Sequence, residues 1–242
     1  MARRTAIVFP VFVILMVSHS PAKDFWEDPY TRWDKKDVVR MINDSPWAQI
    51  QTFSRGLERN LEQSVGGAGV GVSGDREIYN KFTVRFFSAL PVREAYVRMF
   101  QIANNYDEAT PEQKAEFDQR FNRALNLDVA DRVILAVEFA SNEPQTNRDM
   151  KQFFDLATAE TLKQSVYLIS QRLGRVQLKE YYPPSPDGTG AKFVFPRTVD
   201  GQAVLAPSDK EARLEFYLPV INQKLFIKFR VDRMVHQGAL SY

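Results

Sequence analysis

Two stretches near the end of the chain decide the fold: Ala212-Arg213-Leu214-Glu215-Phe216-Tyr217-Leu218 and Lys224-Leu225-Phe226-Ile227-Lys228-Phe229-Arg230-Val231-Asp232. In the first, Ala212, Leu214, Phe216 and Leu218 alternate with Arg213, Glu215 and Tyr217. In the second, Leu225, Ile227, Phe229 and Val231 occupy every other position. A period of two puts the two sets on opposite faces of a strand, so each stretch has one face in a core and one in water. Asn222-Gln223 supplies the connection, which makes the pair an antiparallel hairpin.

Working back along the chain, the same period recurs. Glu77–Phe87 places Ile78, Phe82, Val84 and Phe86 on one face, with Asn80 interrupting, and Phe87 on the mixed face implies that something packs there too. Asp131–Phe139 carries Val133, Leu135, Val137 and Phe139 on one side and Ile134 and Ala136 on the other, the pattern of a central strand covered twice. Ser165–Ser170 and Arg175–Tyr181 form a hairpin around Gln171-Arg172-Leu173-Gly174. Ala191–Phe195 and Gln51–Gly56 are short strands, and Asp200-Gly201 marks a tight turn.

Helices interrupt the strands at three places. Asp34 caps a short helix with Asp37 as its box partner, and Trp33 and Val38 stand at the spacing of a hydrophobic staple. Residues 91–125 read as a helical hairpin. Its first helix shows Val92, Tyr96, Met99, Phe100, Ala103 and Tyr106 as the inward stripe. Thr110-Pro111-Glu112-Gln113 restarts the second, whose stripe is Phe117, Phe121, Ala124 and Leu125. Asn147 caps a further helix running to Ala159, with Met150, Phe153, Phe154 and Ala157 inward. The fold class is therefore mainly β: an antiparallel β-sandwich-like domain with an inserted helical hairpin and an N-terminal helix. An α+β fold on a single antiparallel sheet is the alternative. The division is a leader over 1–22, a helical arm over 23–50 and a β-rich domain over 51–242.

The first 22 residues have the form of an export signal. Arg3 and Arg4 give a positive end, Ala6–Val17 is uncharged and apolar, and Ser20-Pro21-Ala22 offers small residues for cleavage. Twelve apolar residues reach only about 18 Å as a helix, against a hydrocarbon core of about 30 Å, so no stable membrane span is expected after cleavage. The predicted address is the periplasm or the extracellular space. Over the whole chain 32 Lys and Arg face 30 Asp and Glu. Arg3 and Arg4 leave with the leader, which balances the mature charge and removes the basic character that would point to nucleic acid. With no Cys, stability rests on packing and not on disulfides.

Chemistry is sparsely signalled. No cysteine nucleophile exists, no zinc set is possible with two His, and no G-x-S-x-G occurs. No catalytic residue, metal or cofactor is assigned. Gly69-Val-Gly71-Val-Ser-Gly74 matches a dinucleotide fingerprint literally, but a strand follows it where the fingerprint needs a helix, so it reads as a loop. His236, just after the last strand, reads as a surface residue. Asp107-Glu108 and Asp128 with Asp131 are the nearest approach to a calcium site and equally suit helix ends and turns. Glu138, in an apolar strand, implies an ion pair with an Arg on a neighbouring strand, Arg85. Tyr30, Trp33 and Trp47 are the binding candidates: together they would make an aromatic platform for a sugar or a protein, while the bland reading is that they anchor the arm to the core.

The run Trp33–Ala48, together with Phe87-Ser-Ala-Leu-Pro-Val-Arg93-Glu-Ala, Phe195-Pro-Arg197 and Leu214-Glu-Phe216, resembles uncharacterised exported proteins of Acidobacteria. Related exported proteins of that phylum carry a GWxTD domain, whose Gly-Trp-x-Thr-Asp motif is absent here. The resemblance implies export and a compact domain and transfers no activity to any residue. The expected role is non-enzymatic binding of an envelope protein or glycan. The rivals are a carboxylate-based hydrolase of an envelope polymer and a structural accessory subunit.

Overall fold

The computed structural model describes residues 24–55 and 77–242. The leader read over 1–22 and the glycine-rich match at 69–74 lie outside them. The fold is mainly β, with two antiparallel sheets facing each other and helices packed around them. The first sheet has the order β1-β2-β3-β7-β6, with β1 Ala48–Arg55, β2 Ile78–Phe86, β3 Arg132–Ser141, β6 Glu180–Tyr182 and β7 Ala191–Pro196. The second has the order β11-β10-β4-β5, with β4 Val166–Ser170, β5 Gly174–Gln177, β10 Glu211–Leu218 and β11 Gln223–Arg230, and a separate two-stranded hairpin pairs β8 Thr198–Val199 with β9 Gln202–Ala203.

The alternation read in β10 and β11 survives in the fold. Ala212, Leu214, Phe216, Leu218, Leu225, Ile227 and Phe229 are buried between the sheets. They meet Phe86 and Phe193 of the first sheet, at ring-centroid distances of 4.7 Å for Phe86–Phe229 and 5.3 Å for Phe193–Phe216. Along one side the edges approach closely, and Gln51 Oε1 accepts a hydrogen bond from the Phe226 main-chain N–H at 2.8 Å. On the other side the predicted strand Arg175–Tyr181 is divided. β5 ends at Gln177, Leu178 is buried, and the chain crosses to pair as β6 with β7. Leu178 on the core side at that point makes the crossing favourable, a long-range fact that local alternation does not carry.

Two helices cover the outer face of the first sheet. α1 (Lys35–Asn43) begins at Asp34, whose carboxylate accepts from Asp37 N at 2.8 Å, and Trp33 and Val38 are buried on either side of that cap. α2 (Leu90–Ala103) has Pro91 in its first turn, where a missing N–H costs nothing. Beneath them Thr83, Arg85, Ala136 and Val194 are buried, which explains the double cover expected of β3. α3 (Pro111–Leu125) starts on the Thr110–Gln113 capping box.

The inward stripes of this hairpin need correction. Val92 and Tyr96 are buried, but Phe100 and Ala103 are exposed, while Arg93, Glu94, Arg98 and Gln101 are buried. Each buried guanidinium ties α2 to a neighbour. Arg93 donates to the Ala124 and Leu125 carbonyls at 3.1 and 2.6 Å, at the negative end of α3. Arg98 donates to Trp33 O at 2.9 Å and grips both Asp107 oxygens at 2.8 Å. α3 itself buries no residue fully; it rests on α2 through Phe100, Phe117 and Phe121, stacked at 5.3 and 4.3 Å.

α4 (Pro144–Leu156) starts one turn before the predicted cap. Asn147 lies inside its first turn, and its amide closes both hydrogen bonds of Ser141, at 2.9 and 2.7 Å. Met150 and Phe154 are buried as read. α5 (Ala159–Leu162) follows on a Thr158–Thr161 box. After β11 the chain makes a 3-10 turn over Val231–Arg233, and a last hairpin pairs β12 (Val235–His236) with β13 (Ala239–Leu240). Gln237 and Gly238 both have positive φ there, as a two-residue primed turn requires.

Candidate functional site

Trp33 and Trp47 do not form a surface platform. They are 1% and 0% exposed, and with Trp26 they sit in the core. Trp33 Nε1 donates to Asp28 O at 3.0 Å, and Trp47 Nε1 donates to Ser241 O at 2.7 Å. Trp26 stands edge-on to Trp47 at 5.6 Å. Three indoles in so short a segment bury a large apolar area, and the N–H tips of Trp33 and Trp47 each find a carbonyl. Tyr30 is half-buried, and its phenol is pushed up first by burial and then by the Asp118 and Glu94 carboxylates, against the pull of Arg98.

His236 is not on the surface. It is 6% exposed, its Nε2 lies 3.1 Å from Glu94 Oε2, and its ring stands edge-on to Trp47 at 6.4 Å. The β12–β13 hairpin folds it back onto α2, a return that nothing local in the sequence announces. Arg85 pairs with Glu138 at 2.8 Å, as read, because Arg85 lies opposite Ala136 and Glu138 opposite Thr83 in the β2–β3 register. Arg85 is buried and also donates to Ile42 O and to Asn43 Oδ1, whereas the Glu138 side chain is 47% exposed. Asp107 is occupied by Arg98, Asp131 by Arg132 and Lys179, and Asp128 accepts from Ala130 N in a turn. Among the described residues no group of three potential ligands forms a metal site.

The described residues line several surface grooves, and two of them border α4. The larger, of about 730 Å³, runs between α4, α5 and the end of β10. Phe153, Leu156, Leu162 and Tyr217 form its apolar wall, and Asp149 and Gln152 stand on its rim. Leu156 is 72% exposed, which is unusual for a leucine closing a helix. The Tyr217 hydroxyl donates to Asn222 Oδ1 at 3.0 Å, and the residue stays 45% exposed. Periodicity could not find this groove, because its residues come from three elements brought together by the fold.

The smaller groove, of about 360 Å³, lies between Glu138, α4 and the Pro184–Gly190 loop. In that loop Asp187 accepts from Lys192 Nζ at 2.9 Å and from Thr189 N at 2.9 Å. Burial alone would raise this carboxyl; the hydrogen bonds from Lys192, Thr189 and Ser185 outweigh it and hold it down to about 2. Five other described carboxyl groups depart from their ordinary values, and all five are also displaced downward. None of these six has the raised pKa that a glycosidase general acid uses.

No family model, no curated protein and no solved structure matches this chain. Among the described residues no helix is long and apolar enough to cross a membrane.

Proposed function

We propose that this is an exported, non-enzymatic domain of the cell envelope, of the kind that the resemblance to exported acidobacterial proteins implies, which binds a protein partner through the groove between α4, α5 and β10. The observation that carries the reading is Leu156, left in water in a groove that it lines with Phe153, Leu162 and Tyr217. Burying such a side chain under a partner is worth about 1.5–3 kcal/mol. The hydrolase reading lacks support by comparison. Glu138 and Asp187, the carboxylates nearest the smaller groove, are each neutralised by a cation and lack the asymmetry of an acid and base pair. Export is supported by Arg3, Arg4, the apolar run 6–17 and the small residues before Lys23.

The test places a photo-cross-linking residue at Leu156 in cells of the source organism, and a second at Glu116 on the exposed side of α3. A discrete protein adduct from position 156, absent from 116 and weakened by Tyr217→Asp, is the expected result. The same ladder of adducts from both positions, or none at 156, overturns the reading. The mass of the native protein checks the address independently: a chain that begins at Lys23 agrees, and one that retains residues 1–22 does not.

A further inference from the structure

Among the described residues no helix packs over the outer face of the second sheet, and its side chains come into register across all four strands. Lys228 of β11 lies opposite Arg213 of β10, Arg213 opposite Ile169 of β4, and Ile169 opposite Arg175 of β5. The next row reads Phe226, Glu215, Tyr167 and Gln177. With strands about 4.8 Å apart, the cationic row spans about 14 Å. Five cations face outward on these strands, Arg175, Arg213, Lys224, Lys228 and Arg230, against the carboxylates of Glu211 and Glu215.

Several of the charges are spoken for. Lys224 pairs with Glu215 at 2.8 Å, and Arg230 pairs with Asp232 at 2.8 Å. Arg213 makes only a long contact with Glu211, 3.9 Å, and its guanidinium lies over the Phe226 ring at 4.9 Å. Arg175 lies over Tyr167 at 5.0 Å, and among the described residues neither Arg175 nor Lys228 has a carboxylate partner. Like charges directly opposite on neighbouring strands are destabilising. The Arg213–Lys228 pair therefore works against folding, and an anion bound between the two would relieve it.

We propose that this face binds an anionic polysaccharide, with carboxylate, sulfate or phosphate groups on the Lys228–Arg213–Arg175 row. The charge complementarity selects a polyanion. The Phe226 and Tyr167 rings carry the Arg213 and Arg175 guanidinium groups over them and hold these cations along one line, which suits a linear chain of regularly spaced anionic sugars. A lipid surface would instead be met by apolar side chains projecting beyond the charges. The site shares no residue of the row with the α4–α5 groove, so it stands or falls independently of the partner proposed there.

Polygalacturonate serves as the probe, with neutral dextran and vesicles of phosphatidylglycerol and phosphatidylcholine beside it. The whole protein is expected to bind polygalacturonate, to release it as salt rises, and to ignore dextran. The triple variant Lys228→Gln, Arg213→Gln, Arg175→Gln weakens this by about tenfold or more. A triple of equal charge change elsewhere, Lys35→Gln, Lys36→Gln, Arg123→Gln, leaves it within about twofold, and so does Leu156→Asp. Lys228→Gln alone keeps or raises the melting temperature, which a merely structural lysine would not do. Failure of the unaltered protein to bind at low salt overturns the proposal. So does equal loss in the two triples, or row-dependent binding to the vesicles without binding to polygalacturonate.

Discussion

The His236 Nε2 atom lies 3.1 Å from Glu94 Oε2, and both side chains are closed off from water. The two atoms are in contact but poorly aligned: neither nitrogen of the imidazole and not this carboxylate oxygen has a well-directed hydrogen bond among the described residues. A close pair of this kind couples the end of the chain to α2, on which Arg93 and Arg98 fasten other segments. Removing one member leaves the other buried without compensation, so His236→Ala and Glu94→Ala are each expected to cost about 3 kcal/mol. Replacing both by apolar residues, Glu94→Leu with His236→Phe, should cost less than either single change. Urea unfolding of the three variants checks this, and additive losses would show that the pair is not coupled.

Arg85 and Glu138 form an ion pair between β2 and β3, and their unequal burial predicts unequal effects. Arg85 is buried with three acceptors, Glu138 Oε2, Ile42 O and Asn43 Oδ1. Arg85→Ala strands those acceptors and opens space beneath α1, at a cost of about 3 kcal/mol. Glu138→Gln keeps a hydrogen-bond acceptor at the half-exposed end and should cost under about 1 kcal/mol. Equal losses in thermal unfolding would contradict the asymmetry.

Asp187 gives the fold an acid sensitivity of defined sign. Its folded-state pKa is held at about 2, below the ordinary 3.8. Its stabilising contribution is therefore fully present above about pH 4 and is lost as pH falls toward about 2, since the unfolded chain takes up the proton first. With the carboxylate half-exposed and screened, the contribution is about 1 kcal/mol. Asp187→Asn should flatten the stability profile between about pH 4 and pH 2. Urea midpoints measured across that window in both proteins test it, and an unchanged slope would count against the Lys192–Thr189 cage.

Gly190 is required by contact as well as by conformation. Its φ is +83°, and a Cβ there would meet Val137 O at 2.3 Å and Glu138 N at 2.9 Å, both main-chain atoms that cannot turn aside. Gly190→Ala is expected to cost about 2 kcal/mol or more. Gly188, with φ of +70° and open space around it, should lose only about 1 kcal/mol on the same change. Chemical denaturation of the two variants side by side separates steric from conformational cost.

How much was legible varies with the range of the interaction. The capping boxes at Asp34 and Thr110 span three residues, and the structure reproduces both. The Arg85–Glu138 pair follows from two correct strands that prove to be neighbours. Helix α2 was misread because a stripe of Met99, Phe100 and Ala103 satisfies periodicity, whereas the space on its other side is filled by α1, α3 and the chain's end. The last carbonyls of α3, Trp33 O and the Asp107 carboxylate receive Arg93 and Arg98, and the helix turned its polar side inward to meet them. The aromatic platform at Trp33 and Trp47 failed for a related reason: the residue type permits stacking outside or packing inside, and burial chose the second.

The chain alone determined most of its strands, the caps at Asp34 and Thr110 and the faces of β10 and β11, because alternation and capping are properties of a few consecutive residues. Only the tertiary structure decided that β10 stands between β11 and β4, that Lys228, Arg213 and Arg175 fall into one row, that His236 is buried on Glu94, and that Leu156 borders an apolar groove. Each of these depends on segments tens to more than a hundred residues apart, and their juxtaposition is fixed by burial of the shared core, to which local sequence contributes only one side at a time.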